Sequence, residues 1–228
     1  MTASSLLVER PYGDLPAVRL TLDRPERKNA LSIALRDELS DALDALGDDE
    51  SVKCVVVTGA GDVFCSGFDL TEFTTAIDDP EFTARLWASS DRYHSTLVRF
   101  PLPTLAAING PAIAGGFDLA ICCDLRVATT TARFAHPEYT FGPVVYSPLH
   151  DLVGGAVARD LCMTGRTVDA NEAQSLRIVN DVVDPDALDA ATLAVVERVC
   201  AAPREQLLST KAKALARARL VTDATLDL

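Results

Sequence analysis

Apolar Val18, Leu20 and Leu22 alternate with Arg19, Thr21 and Asp23, the two-residue period of a strand with one covered face. The Pro11-Tyr12-Gly13-Asp14 turn predicts that residues 5–9 fold back on it as a hairpin. After Arg24-Pro25 the period lengthens to that of a helix. Leu35, Leu39, Leu43 and Leu46 share one face, Ser32 is the expected N-cap, Gly47 is expected past the end, and Arg36, Asp37, Asp41 and Asp44 fall on the polar face. Residues 52–58 (VKCVVVT) form a nearly unbroken apolar run, as expected of a strand covered on both faces, and Gly59-Ala60-Gly61 ends it. A helix is predicted over about 81–99, a second buried strand over 104–108, a short helix from Gly115-Gly116 to Cys122, and a third strand over 125–128. Helices over 149–163 and 170–176 follow, the latter capped by Asp169 with Glu172 three residues on. A strand over 178–183 and two helices, after Asp184-Pro185 and Pro203, complete the chain. The strand, helix, strand order predicts an α/β fold, with residues 1–185 as core and 186–228 as a helical C-terminal region.

Composition narrows the function. A 228-residue chain that is 48% hydrophobic can bury a real core, which excludes intrinsic disorder. A net charge of -12 repels nucleic acid and anionic membrane on average, leaving a small anionic ligand held by local basic groups as the charged partner to expect. No apolar run approaches the roughly 18 to 20 residues that span a bilayer, and the N-terminus lacks a basic head followed by an apolar segment, so a cytoplasmic chain is expected. The six cysteines show no CxxC spacing and mostly sit in apolar segments, as reduced packing residues do. His94, His136 and His150 make no ligand pattern, and no metal is expected.

Gly59-Ala60-Gly61 after a strand suggests a dinucleotide loop, but Phe64 stands where the third glycine belongs. Neither a GxxxxGK[ST] phosphate loop nor a GxSxG elbow occurs, and Cys65 has no histidine near it in sequence to activate it as a nucleophile. Two other loops follow buried strands at equivalent points, Cys65–Leu70 and Asn109–Asp118. Glycine permits the sharp turns that expose N–H groups, and a helix opening at Gly115 points unpaired amides forward, so two such amides can clamp one oxygen. Ordinary strand-to-helix turns would have the same spacing.

Four segments resemble, in order, the signatures of the enoyl-CoA hydratase/isomerase (crotonase) superfamily: Leu22–Leu31 (LDRPERKNAL), Val55–Leu70 (VVVTGAGDVFCSGFDL), Ala106–Asp124 (AAINGPAIAGGFDLAICCD) and Ala132–Glu138 (ARFAHPE). The likeness runs from about Leu6 to Leu220, including Leu161–Val183. It implies a ClpP/crotonase-like spiral of ββα units with a helical C-terminal region, shortened here, and a crevice for a CoA thioester. By position, the amides of Phe68 and Gly115 would form an oxyanion hole. Glu138 and Asp118 would be the acid/base carboxylates, with Asp118 one methylene shorter than the glutamate usual there. CoA and substrate would meet Arg27, Lys28, Ala30, Ser66, Asp69, Leu70 and Thr71, the last standing where relatives often carry a phosphate-binding lysine. Val144, Val145 and Tyr146 would shape the acyl pocket. The implied reaction is hydration of a 2-enoyl-CoA, with isomerisation or CoA binding without turnover as alternatives, no cofactor beyond the substrate's CoA, no metal, and a homo-oligomer, trimer or hexamer.

Overall fold

The computed structural model describes residues 4–218, 225 and 228. Strand β1 (Leu6–Glu9) pairs antiparallel with β2 (Ala17–Leu22), which closes the expected hairpin with Leu6 opposite Leu22. From β2 onward the large sheet is parallel, in the order β1-β2-β3-β4-β6-β9, with β3 at Cys54–Gly59, β4 at Thr104–Ile108, β6 at Leu125–Thr129 and β9 at Asp181–Val183. A second, small sheet joins β5 (Ala112–Ile113), β7 (Arg133–Ala135) and β8 (Val168–Asp169).

The unbroken apolar run of β3 has a structural reason. Val55 and Val57 point into a core beneath helices α1 (Ile33–Asp48) and α3 (Pro80–Arg99), while Cys54 and Val56 point into a second core shared with Leu188, Val196 and Cys200 of α7 (Leu188–Cys200). Both faces are buried, so alternation would leave polar groups in one core or the other. Lys53 Nζ fastens the end of α7 by donating to the carbonyls of Cys200 (3.0 Å) and Ala202 (2.9 Å). Helix α8 (Arg204–Ala218) is anchored through buried Lys211, whose Nζ lies 2.6 Å from Asp124 Oδ2. Of the region 186–228, residues 219–224, 226 and 227 lie outside the described residues, as does the end of the likeness at Leu220.

Several boundaries differ from expectation. Ser32 caps α1 by accepting from Leu35 N, but the helix continues through Gly47 to Asp48, and Arg204 Nη2 donates to the Gly47 carbonyl. Helix α3 begins at Pro80, with Asp79 accepting from the amides of Glu81 and Phe82. Helix α5 (Ser147–Thr164) is broken at Gly154, whose φ is 75°. Within 178–183 only Asp181–Val183 pairs with β6, because the Ile178 carbonyl is taken by Arg126 Nε and Asn180 Oδ1 accepts from the Arg126 amide. Helix α4 (Gly115–Cys122) follows the prediction, and α6 (Ala170–Ser175) starts from the predicted Asp169 cap.

Arg36 departs most. Its place on the polar face of α1 is covered by α3, and the guanidinium is completely buried. It donates to the carbonyls of Leu31 (2.7 Å) and Leu86 (3.3 Å) and to Ser89 Oγ (3.3 Å), and it lies 4.3 Å from the centre of the Phe68 ring. Removing it breaks three buried hydrogen bonds and opens a void. Arg36→Ala should therefore lose about 2 to 4 kcal/mol of stability, read as a lowered urea midpoint; an unchanged midpoint would show that water replaces these bonds without cost.

Candidate active site

The site forms where the two glycine loops meet the small sheet. After β3 the chain returns through Cys65 and Gly67, whose φ of 91° suits only glycine. Leu31 N donates to Gly67 O (2.8 Å) and Asp69 N to Leu31 O (3.3 Å), so Phe68 sits in a parallel bridge with its own N–H outside the ladder. The second loop enters α4 through Ala114, held at φ 53° by donating to Ala135 O (2.9 Å) of β7. Gly115 is the first residue of α4, where a helix has no internal acceptor for the N–H. The bends abut: a Cβ on Gly67 would lie 2.8 Å from Ala114 Cβ and 3.0 Å from Gly115 N, and one on Gly115 would lie 2.9 Å from Phe68 Cδ1.

The Ala114–Ala135 bond also explains the carboxylates. It brings α4, which carries Asp118, against the end of β7, which leads through His136 into the turn bearing Glu138. The imidazole of His136 is wholly buried and stacks on Phe117 at 4.7 Å. Its Nδ1 is 3.0 Å from Glu138 Oε1 and 3.7 Å from Asp118 Oδ1. Asp118 Oδ1, Glu138 Oε2 and His136 Nε2 are buried without a hydrogen-bond partner among the described residues. The three side chains are close enough to surround an ion, with ligand atoms within 4.8 Å of one another. With Nδ1 of His136 on Glu138 Oε1, the three form a group that can share protons.

Burial pushes the Asp118 carboxyl up to about 7, with the charge of Glu138 adding and that of His136 opposing. Burial alone would lower His136, but the Glu138 hydrogen bond and the two carboxylates outweigh it and hold the ring above its usual value. A carboxyl raised in the folded state binds more protons there than in the unfolded chain, so stability is lost as pH rises from about 4 to about 7. The raised His136 acts in the same sense, its contribution fading as pH passes its folded value. Asp118→Asn should thus lose less thermal stability than the unaltered protein between about pH 4 and about pH 7; identical slopes by calorimetry would refute the burial argument.

A cavity of about 770 Å³ opens beside these groups. Of the positions expected at the site, Ser66, Phe68, Leu70, Gly115, Asp118, Glu138, Val144 and Val145 line it. The others do not. Asp69 is buried and caps the short helix α2 (Leu70–Ala76), accepting from Thr71 N and Oγ1 and pairing with Arg24 at 3.0 Å. That consumes both Asp69 and the Thr71 hydroxyl in local structure. Arg27 is half exposed, 3.8 Å from Asp69. The Lys28 carbonyl accepts from Ser66 N (3.1 Å), and the buried Ala30 offers its carbonyl to Arg24. Tyr146 turns away, packing its ring on His150 at 5.6 Å while its amide donates to Leu228 O. Cys65 is buried against Asn29 O, and burial raises its thiol to about 12, which suits packing and not nucleophilic attack. Sequence spacing missed His136, Phe73, Trp87 and His94. His136 was adjacent to the Pro137-Glu138 motif, whereas the other three lie on helices whose approach to the cavity is a tertiary fact.

The large parallel sheet, the abutting glycine bends and the paired carboxyls define a class: an α/β fold that brings two glycine bends and two carboxyl groups to one cavity. The family description for enoyl-CoA hydratase/isomerase matches residues 17–227, and the chain belongs to that family. It is 39% identical over 200 residues to a putative enoyl-CoA hydratase of Thermus thermophilus, covering 86% of this chain and 79% of that one. The solved structure of an enoyl-CoA hydratase/isomerase from Xanthobacter autotrophicus Py2 is similar at a TM-score of 0.88 and 33% identity, covering 99% of this chain and 86% of that one. A monofunctional enoyl-CoA isomerase from M. smegmatis is similar at a TM-score of 0.80 and 28% identity, covering 95% and 94%.

Proposed function

We propose that the chain is an enoyl-CoA hydratase, adding water across the double bond of a 2-enoyl-CoA thioester. The observation that carries this reading is that two glycine-permitted bends abut in the cavity that also holds Asp118 and Glu138. As water attacks the β-carbon, the double-bond electrons move onto the thioester oxygen, and the amides of Phe68 and Gly115 stabilise that charge without reorganising. His136 occupies Glu138 Oε1 and leaves Oε2 to take the proton from water. Asp118, raised to about 7, keeps a proton near neutrality and delivers it to the α-carbon, so the bonds and protons balance. The reaction needs no group beyond the substrate's CoA. Because main-chain N–H groups would donate to the oxygen, side chain 68 is left free to shape the wall.

Isomerisation is the second reading, favoured by the similarity to the M. smegmatis isomerase; it would move a proton between the α- and γ-carbons through Glu138. Incubation with 2-enoyl- and 3-enoyl-CoA separates the two. Cofactor-independent loss of the conjugated thioester to a 3-hydroxyacyl product supports hydration. Interconversion of the two alkenes without water uptake would replace it with isomerisation, and binding without any turnover would leave a CoA-binding protein. We further propose a cytoplasmic location and a homo-oligomer, trimer or hexamer. No helix among the described residues is long and apolar enough to cross a membrane, and native mass measures the assembly.

A further inference from the structure

His94 is a buried polar group that the proposed chemistry leaves unused. It lies on α3, borders the cavity beside Phe68, Phe73 and Trp87, and is only 1% exposed. Its Nδ1 is 3.0 Å from the carbonyl of Ser90 one helical turn back, and 3.2 Å from Thr225 Oγ1. A carbonyl can only accept, so Nδ1 carries the ring proton. Burial lowers the imidazole to about 4, a shift opposed by the Ser90 bond and assisted by the Arg36 charge, so the ring is neutral at physiological pH. Nε2 is therefore a bare lone pair, and it has no partner among the described residues. A buried acceptor left unmade costs about 1 to 3 kcal/mol, and in a native protein such a group calls for a partner. The ring stands 6.2 Å from that of Phe68, centre to centre, within one side-chain length of the residue that supplies one proposed oxyanion donor.

We propose that this cavity selects thioesters whose acyl group carries a hydroxyl, which donates a hydrogen bond to His94 Nε2. The proposal rests on the CoA-thioester reading and adds the substrate class: a hydroxylated acyl chain or a phenolic acyl group. The aromatic walls of Phe68, Phe73 and Trp87 accommodate either. A plain alkyl chain would fill the space and leave the acceptor stranded, and a site of that kind rejects the analogue lacking the donor.

The test is equilibrium binding of saturated, non-reacting CoA esters in matched pairs, so that affinity is read without turnover. One arm compares linear acyl-CoAs with forms hydroxylated at successive carbons beyond C3, because the 3-hydroxy ester is itself the product of the proposed hydration. The other compares phenylpropanoyl-CoA with its ring-hydroxylated forms. At least one hydroxylated ester should bind about tenfold tighter than its plain partner, and the arm in which it falls identifies the acyl type. His94→Phe should abolish that preference, whereas His94→Gln, which keeps an acceptor, should retain part of it. Equal affinities within every pair would overturn the proposal and indicate that a trapped water satisfies Nε2, while leaving the CoA-ester reading intact. A preference that survives His94→Phe would overturn the assignment to His94. Failure of every ester to bind would sink the CoA reading itself, and the proposal with it.

Discussion

Glu138→Gln is expected to reduce turnover of a 2-enoyl-CoA by about 10²- to 10⁴-fold, the range supplied by a positioned general acid or base. The amide keeps the size of the carboxyl and can still meet His136 through its oxygen, so the fold and the cavity should persist. It cannot take a proton from water. The loss should therefore appear in kcat, with binding of a saturated acyl-CoA almost unchanged, since the exchange keeps the side chain's shape and its contact with His136. Single-turnover kinetics with a parallel binding measurement check this. Retained kcat would remove Glu138 from the chemistry, and equal loss of binding would make it a structural residue.

Gly67→Ala is expected to cost about 10²- to 10³-fold in kcat/KM, the scale of losing one oxyanion donor. Two effects combine at this position. The backbone sits at φ 91°, where any other residue is strained, and the new Cβ would come within 2.8 Å of Ala114 Cβ and 3.0 Å of Gly115 N. Relief requires the two loops to separate, which pulls the Phe68 and Gly115 amides off a common oxygen. Gly13→Ala is the control. Its φ is 62°, also left-handed, but nothing lies within 4 Å of the added carbon. It should lose stability through strain and keep full activity. If Gly67→Ala behaved like Gly13→Ala, the meeting of the two bends would have no catalytic meaning.

Much of the fold was legible because its signals are local. The run at β3, the leucine spacing of α1 and the caps at Ser32 and Asp169 each reflect forces acting within a few residues. The family likeness added the spiral arrangement and named the bends and carboxyls that meet at the cavity. What escaped depended on neighbours distant in sequence. Arg36 belongs by period to the solvent side of α1, and only the packing of α3 turns that side inward. Gly47 resembles a helix stop, yet Arg204, from the other end of the chain, satisfies its carbonyl. Asp69 and Glu72 have the spacing of a helix start that was passed over, and Glu72 instead accepts from the Ile33 amide at the head of α1. Asp69 and Tyr146 were placed at the site by correspondence alone. Asp69 pairs with Arg24 and Tyr146 packs on His150, and neither lines the cavity.

The two-faced burial of β3 also bears on how the chain is made. Cys54 and Val56 wait for α7, which begins more than a hundred residues later, at Leu188. During synthesis that side of the sheet emerges uncovered and stays so until α7 has left the ribosome. Pairings this distant in sequence form slowly, and exposed parallel strands are adhesive in the interval. The nascent protein should thus depend on chaperones far more than its mature, well-packed form would suggest.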